Sequence, residues 1–346
     1  MAQTDETDEL VGRRIGDYRL LEPIGAGGFA TVYRAEQPRL GRPVVVKVLH
    51  PQLRTRDVVL QRFLREAQLA ACLDHPDAAH IYGFDGEADG LVWIAMEYVR
   101  GITLKHWLRD RGPMPLALFV PFFEGIADVV QCAHDHGIVH RDLKPSNLMV
   151  TERGGRRWPT LLDFGVARRI ADATPPTSTP ATLQRLRQLG GEPVPEDVLL
   201  SFRRGAPSTV TGTSPPPGSD RLTPADTILG TPGYMAPEQW THAFPVGPAA
   251  DLYALGVIAY EALTGRRPFP DRTTLAAPPY RTHVPPLGRR LPPALDRVLQ
   301  RALALRPDHR FATALDLAHA LRSASGLDPL GSRCSGSIPR PPHRTR

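Results

Sequence analysis

Cysteines and long apolar runs are scarce in this 346-residue chain. Its three cysteines, Cys72, Cys132 and Cys334, lie far apart and form no paired ligand motif. Disulfides and a zinc site are therefore not expected, and a reducing compartment is favoured. No run of 18 or more apolar residues occurs, so the sequence predicts no transmembrane anchor. The first ten residues carry acidic but no basic side chains, the reverse of a signal peptide, and the predicted localisation is cytoplasmic.

The formal net charge of +6 raises the question of nucleic-acid binding. Such binding requires basic side chains gathered on one patch or stripe. The arginines of this chain are scattered, and its basic C-terminal tail is short. A solvated, arginine-rich surface is therefore the preferred interpretation, and no nucleic-acid partner is expected.

The most informative stretch is HRDLKPSNLMV, residues 140–150, which sets Asp142, Lys144 and Asn147 at fixed offsets. A further acid, Asp163, follows in an Asp-Phe-Gly triplet. Asp142 can accept the proton of a hydroxyl, while Asn147 and Asp163 offer the hard oxygen ligands that Mg²⁺ prefers. Lys144 can neutralise charge that builds on a transferred phosphoryl group. The pattern indicates metal-assisted phosphoryl transfer.

Two features nearer the N-terminus fit the same chemistry. The glycine-rich residues 24–32 predict a strand, a tight turn and a strand, in which backbone N–H groups can approach phosphates. Alone, this pattern is more often an ordinary hairpin. Lys47 interrupts the β-branched run of residues 44–49, which is typical of a buried strand. Because an unpaired buried ammonium is costly, Lys47 is either exposed on an edge strand or paired with Glu66 on the helix predicted to follow.

With the segment LGTPGYMAPE at residues 229–238, these motifs occur in an order that resembles the eukaryotic-type (Hanks-type) bacterial serine/threonine protein kinases over about residues 15–323. The resemblance implies an α+β, bilobed protein-kinase fold, with a small β-rich N-lobe carrying one helix and a larger, mainly helical C-lobe. It implies an enzyme of signal transduction that transfers the γ-phosphoryl group of ATP to protein Ser/Thr hydroxyls. The implied cofactor is Mg²⁺, with Mn²⁺ as a substitute.

By the same resemblance, Asp142, Lys144, Lys47 and Glu66 are predicted to be catalytic, and Asn147 and Asp163 to bind metal. The predicted ATP-binding residues are Ile24, Gly25, Ala26, Gly27, Gly28, Phe29, Ala30, Val32, Val45, Lys47, Met96, Glu97, Val99 and Met149. The backbone of residues 97–99 is expected to hydrogen-bond the base. Two positions depart from the family pattern. Ala30 replaces a third glycine, and Val45 replaces an alanine and should narrow the ceiling of the pocket.

The resemblance also implies structural and regulatory roles. Glu238 is expected to pair with Arg310, and Asp251 to brace the catalytic loop from a central buried helix. Lys144 together with the Gly-Thr of residues 230–231 is the pattern of serine/threonine specificity. Arg141 is expected to receive a phosphate from the activation segment, with Thr223 and Thr227 as the predicted acceptors.

The predicted domain plan is an acidic, disordered extension at 1–14, a kinase domain at 15–325 and a basic, disordered tail at 326–346. The N-lobe is expected at about 15–97 and the C-lobe at about 101–325, with a helix over 116–136. Residues 171–226 are rich in Pro, Ser and Thr and predict a disordered insertion in the activation segment. This insertion is either a plain loop extension or a docking and autophosphorylation element.

Two other functions stay open at this point. A pseudokinase usually lacks at least one of Lys47, Glu66, Asp142, Asn147 and Asp163, all of which are present here. A small-molecule phosphotransferase of related fold generally lacks the Ala-Pro-Glu segment and its arginine partner. The expected partners are therefore ATP and protein substrates, with a transient homodimer during autophosphorylation.

Overall fold

The structure, a computed structural model, describes residues 9–54, 57–87, 89–163, 168–169, 231–241, 246–269 and 283–327. The predictions for Thr223, Thr227, the insertion at 171–226, the first eight residues and most of the C-terminal tail fall outside this part of the chain. Phe164 and Gly165 of the Asp-Phe-Gly triplet also lie outside it.

The small lobe is a six-stranded antiparallel sheet in the order β1-β2-β3-β4-β6-β5, with one helix. Its elements are β1 (Arg14–Ile15), β2 (Tyr18–Ala26), β3 (Ala30–Gln37), β4 (Arg42–Leu49), α1 (Asp57–Ala71), β5 (Ile81–Gly86) and β6 (Val92–Glu97). Along β4, Val44, Val46 and Val48 are buried on the outer face, whereas Phe63 of α1 lies in a second apolar cluster with Leu49 and Ile94. Alternate residues of β4 thus pack against apolar clusters on opposite faces of the sheet.

The larger lobe is mainly helical and encloses the biggest apolar cluster. Its elements are β7 (Ile102–Thr103), α2 (Leu104–Arg111), α3 (Leu116–Asp135), β8 (Ile138–Val139), β9 (Leu148–Arg153), β10 (Arg156–Leu161), β11 (Arg168–Arg169), α4 (Pro237–Thr241), α5 (Pro248–Thr264), α6 (Ala294–Ala302) and α7 (Ala314–Ser325). Strands β7, β9 and β10 form a three-stranded sheet, and β8 pairs with β11.

Helix α5 is buried on nearly all sides, as expected for a helix that is apolar all round. Gly256 permits its close approach to α6, because a Cβ there would lie 3.0 Å from the Cβ of Ala302. Gly265, at φ 75°, ends the helix in the left-handed conformation. A central buried helix around Asp251 was predicted, and in the structure it begins three residues before this aspartate.

Helix α3 is the one helix in the described part of the chain that is long and apolar enough to span a membrane. It contributes Phe119, Phe122, Phe123 and Ile126 to the main apolar cluster, each at most 1% exposed. It also packs against α5, α7 and β10. These contacts are those of a core helix, as the sequence predicts for residues 116–136.

Candidate active site

The catalytic loop joins β8 to β9 and is braced by a carboxylate from beneath. Asp251 accepts hydrogen bonds from the backbone N–H groups of His140 and Arg141, both at 2.8 Å, and from Nε2 of His134 at 2.8 Å. Burial opposes ionisation of this carboxyl, but the hydrogen bond and positive charge of His134 bring the pKa of Asp251 below its ordinary value. The brace predicted for Asp251 is therefore present, and it keeps its charge.

Arg141 has the only left-handed non-glycine backbone in the described residues, at φ 68°. Such a conformation costs about 1–3 kcal/mol and persists only where neighbours enforce it. Asp251 holds its N–H, and the side chain of Gln239 donates to its carbonyl at 2.9 Å. The strained turn presents the next residue, Asp142, to the cleft.

Asp142 is the centre of a polar cluster at the mouth of the cleft. Lys144 Nζ lies 2.6 Å from its Oδ2, and the N–H and hydroxyl of Thr231 donate to Oδ1 at 2.9 and 2.8 Å. Lys144 Nζ also lies 3.0 Å from the Thr231 hydroxyl. Lys144 and Thr231, which together give the sequence pattern expected for serine/threonine specificity, are thus in direct contact, although 87 residues separate the two.

Asn147 and Asp163 lie on neighbouring segments that are bonded to each other. The Leu162 N–H donates to the Asn147 carbonyl at 3.0 Å, and Asn147 Nδ2 donates to the Asp142 carbonyl at 3.2 Å. The fully buried ring of His140 accepts from the Asp142 N–H at 3.3 Å and also interacts with the Asp163 backbone. Burial lowers the pKa of His140, which agrees with an accepting, neutral ring.

This donor set suits a divalent cation of the Mg²⁺ type. Because the amide nitrogen of Asn147 is engaged by a carbonyl, its carboxamide oxygen is the atom left to bind metal. Mg²⁺ usually takes one or two carboxylates together with waters and substrate phosphates, not a cage made by the protein alone. Accordingly, no group of three or more His, Cys, Asp or Glu side chains among the described residues could hold a metal by itself.

Lys47 connects the two lobes electrostatically. Its Nζ lies 2.5 Å from Glu66 Oε1 on α1 and 3.5 Å from Asp163 Oδ1. Burial alone would lower the pKa of Lys47, but the carboxylates of Asp163 and Glu66 raise it above its ordinary value. Burial and the charge of Asp163 raise the pKa of Glu66 to about 8. Two carboxylates thus share one ammonium, and the raised pKa of Glu66 allows this carboxyl to hold a proton beside the ionised Asp163.

The sheet register places several of the residues predicted to bind the nucleotide next to one another. Val45 lies opposite Met96, and Lys47 opposite Val32 and Ile94. The turn between β2 and β3 is open, with Ile24 and Phe29 exposed by 49% and 46%. Met149 lies on β9, in register with Thr103 of β7. Ala30 is buried in the second small-lobe cluster.

The segment predicted to bind adenine carries one constraint that the sequence did not reveal. The N–H of Glu97 donates to the His80 carbonyl at 2.8 Å. This group is therefore engaged within the protein, and the backbone contacts expected from residues 97–99 must come from the other N–H and C=O groups there.

Arg310 and Glu238 form a fully buried ion pair, as predicted. Arg310 donates to both carboxylate oxygens at 2.7 and 2.8 Å, and the two side chains are 0% and 1% exposed. It also donates to the carbonyls of Ala249, Ala304 and Leu305. A planar guanidinium can satisfy this many acceptors at once, which secures the segment that contains Glu238 to the large lobe.

Two residues of the site were missed by sequence reasoning. His134 binds Asp251 from the last turn of α3, and Gln239 holds both the Arg141 carbonyl and the Ala236 N–H. His134 lies in the last turn of the helix predicted over residues 116–136, and a polar histidine at the end of that apolar helix could have identified it from the sequence. No local pattern marks Gln239.

A two-lobed fold with these clusters is that expected of a protein kinase domain, and the chain belongs to the protein kinase domain family, which matches residues 18–184 and 213–320. The unmatched residues 185–212 fall within the span predicted to be an insertion. The predicted resemblance to Hanks-type bacterial serine/threonine kinases and the predicted bilobed fold are confirmed.

Among curated proteins, the chain is 30% identical to serine/threonine-protein kinase PrkC of Bacillus subtilis over 330 residues, covering 94% of this chain and 43% of PrkC. It is 34% identical to serine/threonine-protein kinase Pkn1 of Myxococcus xanthus over 323 residues, covering 92% of this chain and 39% of Pkn1. The chain thus spans about two fifths of the length of these relatives.

Among solved structures, the chain is similar to the PknI kinase domain of Mycobacterium tuberculosis, with a TM-score of 0.60 and 26% identity. The match covers 90% of this chain and 98% of that domain.

Proposed function

We propose that this chain transfers the γ-phosphoryl group of ATP to serine and threonine hydroxyls of proteins. The observation that carries the proposal is the contact of Asp142 with both Lys144 and Thr231. This contact joins a proton acceptor, a cation and the docking segment that ends in the Glu238–Arg310 pair. The names of the relatives support the same substrate class.

On the nucleotide side, Lys47 is the group that would contact the phosphates, oriented by Glu66 at 2.5 Å. Its ammonium is partly buried, with the side chain 16% exposed, so solvent weakens its attraction for phosphate less than it would at the surface. The open turn of residues 25–29 would supply backbone N–H groups. Val45, opposite Met96, would form the ceiling of the adenine pocket.

Asn147 and Asp163 would hold Mg²⁺ through oxygen atoms, with the remaining ligands from phosphates and water. When bound, the metal would supply positive charge that stabilises the phosphoryl oxygens. Lys47 would then make two kinds of contact, because its Nζ lies 3.5 Å from Oδ1 of the same Asp163. It would fix the metal ligand as well as the nucleotide.

In the transfer step, the Asp142 carboxylate would orient the acceptor hydroxyl and take its proton as the new oxygen–phosphorus bond forms. The bond between the γ-phosphorus and the β,γ-bridging oxygen would break at the same time, and ADP would leave with that oxygen. Lys144, fixed by Asp142 and Thr231, would stabilise charge on the transferred group. Positioning and electrostatics do most of the work in phosphoryl transfer, so the rigidity of the Asp251 brace is part of the mechanism.

Autophosphorylation at Thr223 and Thr227, a transient homodimer and a cytoplasmic location remain predictions. Arg141 donates to the Val246 carbonyl at 3.0 Å, which places its guanidinium next to the segment that precedes α5. A phosphate arriving there would add roughly −1.5 to −2 charge and could pair with it.

The test uses purified chain with Mg²⁺, labelled ATP and a generic basic protein. We expect label on serine and threonine, and Asp142→Asn should retain ATP binding while turnover falls at least ~100-fold. A pseudokinase would bind nucleotide without labelling protein, and a small-molecule phosphotransferase would leave the protein substrate unlabelled. Near-wild-type transfer by Asp142→Asn would contradict the role given to this aspartate.

A further inference from the structure

The glycine-rich turn has little packing of its own to define its shape. Residues 25–29 are all exposed, and a Cβ built on Gly28 would meet no atom within 4 Å. Glycine backbone is costly to order, because it has the most conformations to lose. If the turn is to present N–H groups to phosphates, another part of the protein must fix it.

His50, just after β4, makes two hydrogen bonds to this turn. Its backbone N–H donates to the Phe29 carbonyl at 3.0 Å, and its ring Nε2 lies 2.9 Å from the Gly27 carbonyl. A carbonyl oxygen only accepts, so Nε2 is the protonated nitrogen of this contact. The turn is closed further by the Gly27 N–H, which donates to the Ala30 carbonyl at 2.9 Å.

These contacts set the direction of the amides between them. In a trans peptide unit the C=O and the following N–H point in opposite directions, and no cis peptide occurs among the described residues. When His50 holds the carbonyls of Gly27 and Phe29, the N–H groups of Gly28 and Ala30 therefore point away from His50.

The His50 side chain lies on the face of the sheet opposite to the face that carries Lys47. Alternate side chains of β4 face opposite sides, and Val46 and Val48 pack in the outer cluster while Lys47 reaches Glu66 and Asp163. His50 shares the outer side, where it lines a cavity of about 290 Å³ together with Thr31, Tyr33 and Val48. The Phe29 carbonyl accepts the His50 backbone N–H in the plane of the sheet, so the Ala30 amide also lies in that plane. The Gly28 amide, which follows the carbonyl held by the His50 ring, is turned from the side of that ring towards the side of Lys47.

We infer that His50 is a positioning residue that orients the Gly28 amide of the glycine-rich turn for the nucleotide phosphates. This inference rests on the proposed function. His50 touches no reacting atom; it acts through the Gly27 carbonyl. Its effect should therefore be confined to ligands that carry phosphates.

The test measures dissociation constants by calorimetry for Mg-ATP and for adenosine, which has no phosphates. His50→Leu removes the ring donor and should weaken Mg-ATP binding about 3- to 10-fold, the loss expected for one hydrogen bond, with adenosine binding unchanged. His50→Gln keeps an N–H donor and should stay within about 2-fold of wild type. Gln52→Leu, on the same cavity wall, is the matched control and should change neither constant.

Equal Mg-ATP binding by wild type and His50→Leu would overturn the inference. So would an equal loss for ATP and adenosine, because that result would mean general damage to the lobe. If the wild-type chain itself does not bind Mg-ATP, the proposed function fails, and that outcome is distinct from a variant that binds as well as wild type.

Discussion

Among the buried ion pairs of the described residues, Arg310–Glu238 and Lys47–Glu66 are built differently. Arg310 and Glu238 are fully enclosed, and Arg310 also donates to three backbone carbonyls. Lys47 and Glu66 retain 16% and 10% exposure and share their site with a second carboxylate, Asp163. The first pair is satisfied by one carboxylate and backbone carbonyls, whereas in the second pair one ammonium is shared between two carboxylates.

This difference distinguishes an ion pair that stabilises the fold from one that takes part in the proposed reaction. A buried pair with every partner in place is expensive to break, because one removed partner leaves the other charged and unpaired. At the Lys47 pair, Glu66 has a pKa of about 8 and can hold a proton near neutral pH. Loss of its partner should then cost little stability but much activity.

The largest effect is expected at Arg310. Arg310→Leu should lower the free energy of unfolding by about 3–5 kcal/mol, because Glu238 would be left buried and unpaired. Urea denaturation would measure the loss, with Arg306→Leu as control, since Arg306 binds Asp308 in an exposed pair at 2.7 Å. Equal midpoints for the two variants would contradict the structural role.

Lys47→Met should show the opposite behaviour. Phosphoryl transfer should fall at least ~100-fold, equivalent to about 2.7 kcal/mol of barrier. The free energy of unfolding should change by only about 1 kcal/mol, typical of a single substitution. Arg19→Met, which breaks the exposed Arg19–Glu36 pair on the same sheet, is the control and should alter neither quantity. Unfolding of Lys47→Met under assay conditions would contradict the expected difference between the Lys47–Glu66 and Arg310–Glu238 pairs.

Asp251→Asn tests whether the contacts of Asp251 with the catalytic loop stabilise the fold, as the Arg310–Glu238 pair is expected to do. The amide nitrogen would face donors now held by a carboxylate, and the loss should be about 1–3 kcal/mol. Because the folded pKa of Asp251 is lowered, its contribution is present above its ordinary pKa and is lost as pH falls through the folded value. The stability difference from wild type should therefore be constant from pH 7 to 5 and shrink below about pH 4. A difference that grows in acid would show that the sign is wrong.

The smallest effect is expected from deletion of residues 174–217, which contain the span that the family match leaves out. Each doubling of loop length costs only ~0.6 kcal/mol, so the shortened chain should keep its melting temperature and stay within a few-fold in activity on a generic substrate. A much lower melting temperature, or an insoluble product, would mean that this stretch is packed structure.

Sequence reasoning located the groups that perform chemistry but not all the groups that hold them. Lys47 and Glu66 were predictable because a charge inside a β-branched strand requires a partner, and a helix follows. Asp142, Lys144 and Thr231 were predictable by motif, although their mutual contacts across 87 residues depend on the tertiary fold. Gln239 and His50 act through backbone groups, and a contact to a backbone group leaves no complementary residue type elsewhere in the sequence. His134 binds the side chain of Asp251, but 117 residues separate the two, so their contact also depends on the tertiary fold.

Two backbone hydrogen bonds between residues 77–79 and Leu161, the last residue of β10, bear on how the lobes can move. The Leu161 N–H donates to the Asp77 carbonyl, and the Ala79 N–H donates to the Leu161 carbonyl, both at 2.8 Å. Residues 77–79 precede β5 in sequence, yet they are fastened to the strand that leads to Asp163. The lobes are thus joined covalently after β6 and non-covalently at residues 75–79, where His75 also contacts Asp128 and Arg153 donates to the Pro76 carbonyl. Closure over a nucleotide is therefore expected to pivot near these contacts, because movement that separated residues 75–79 from the larger lobe would break several hydrogen bonds at once.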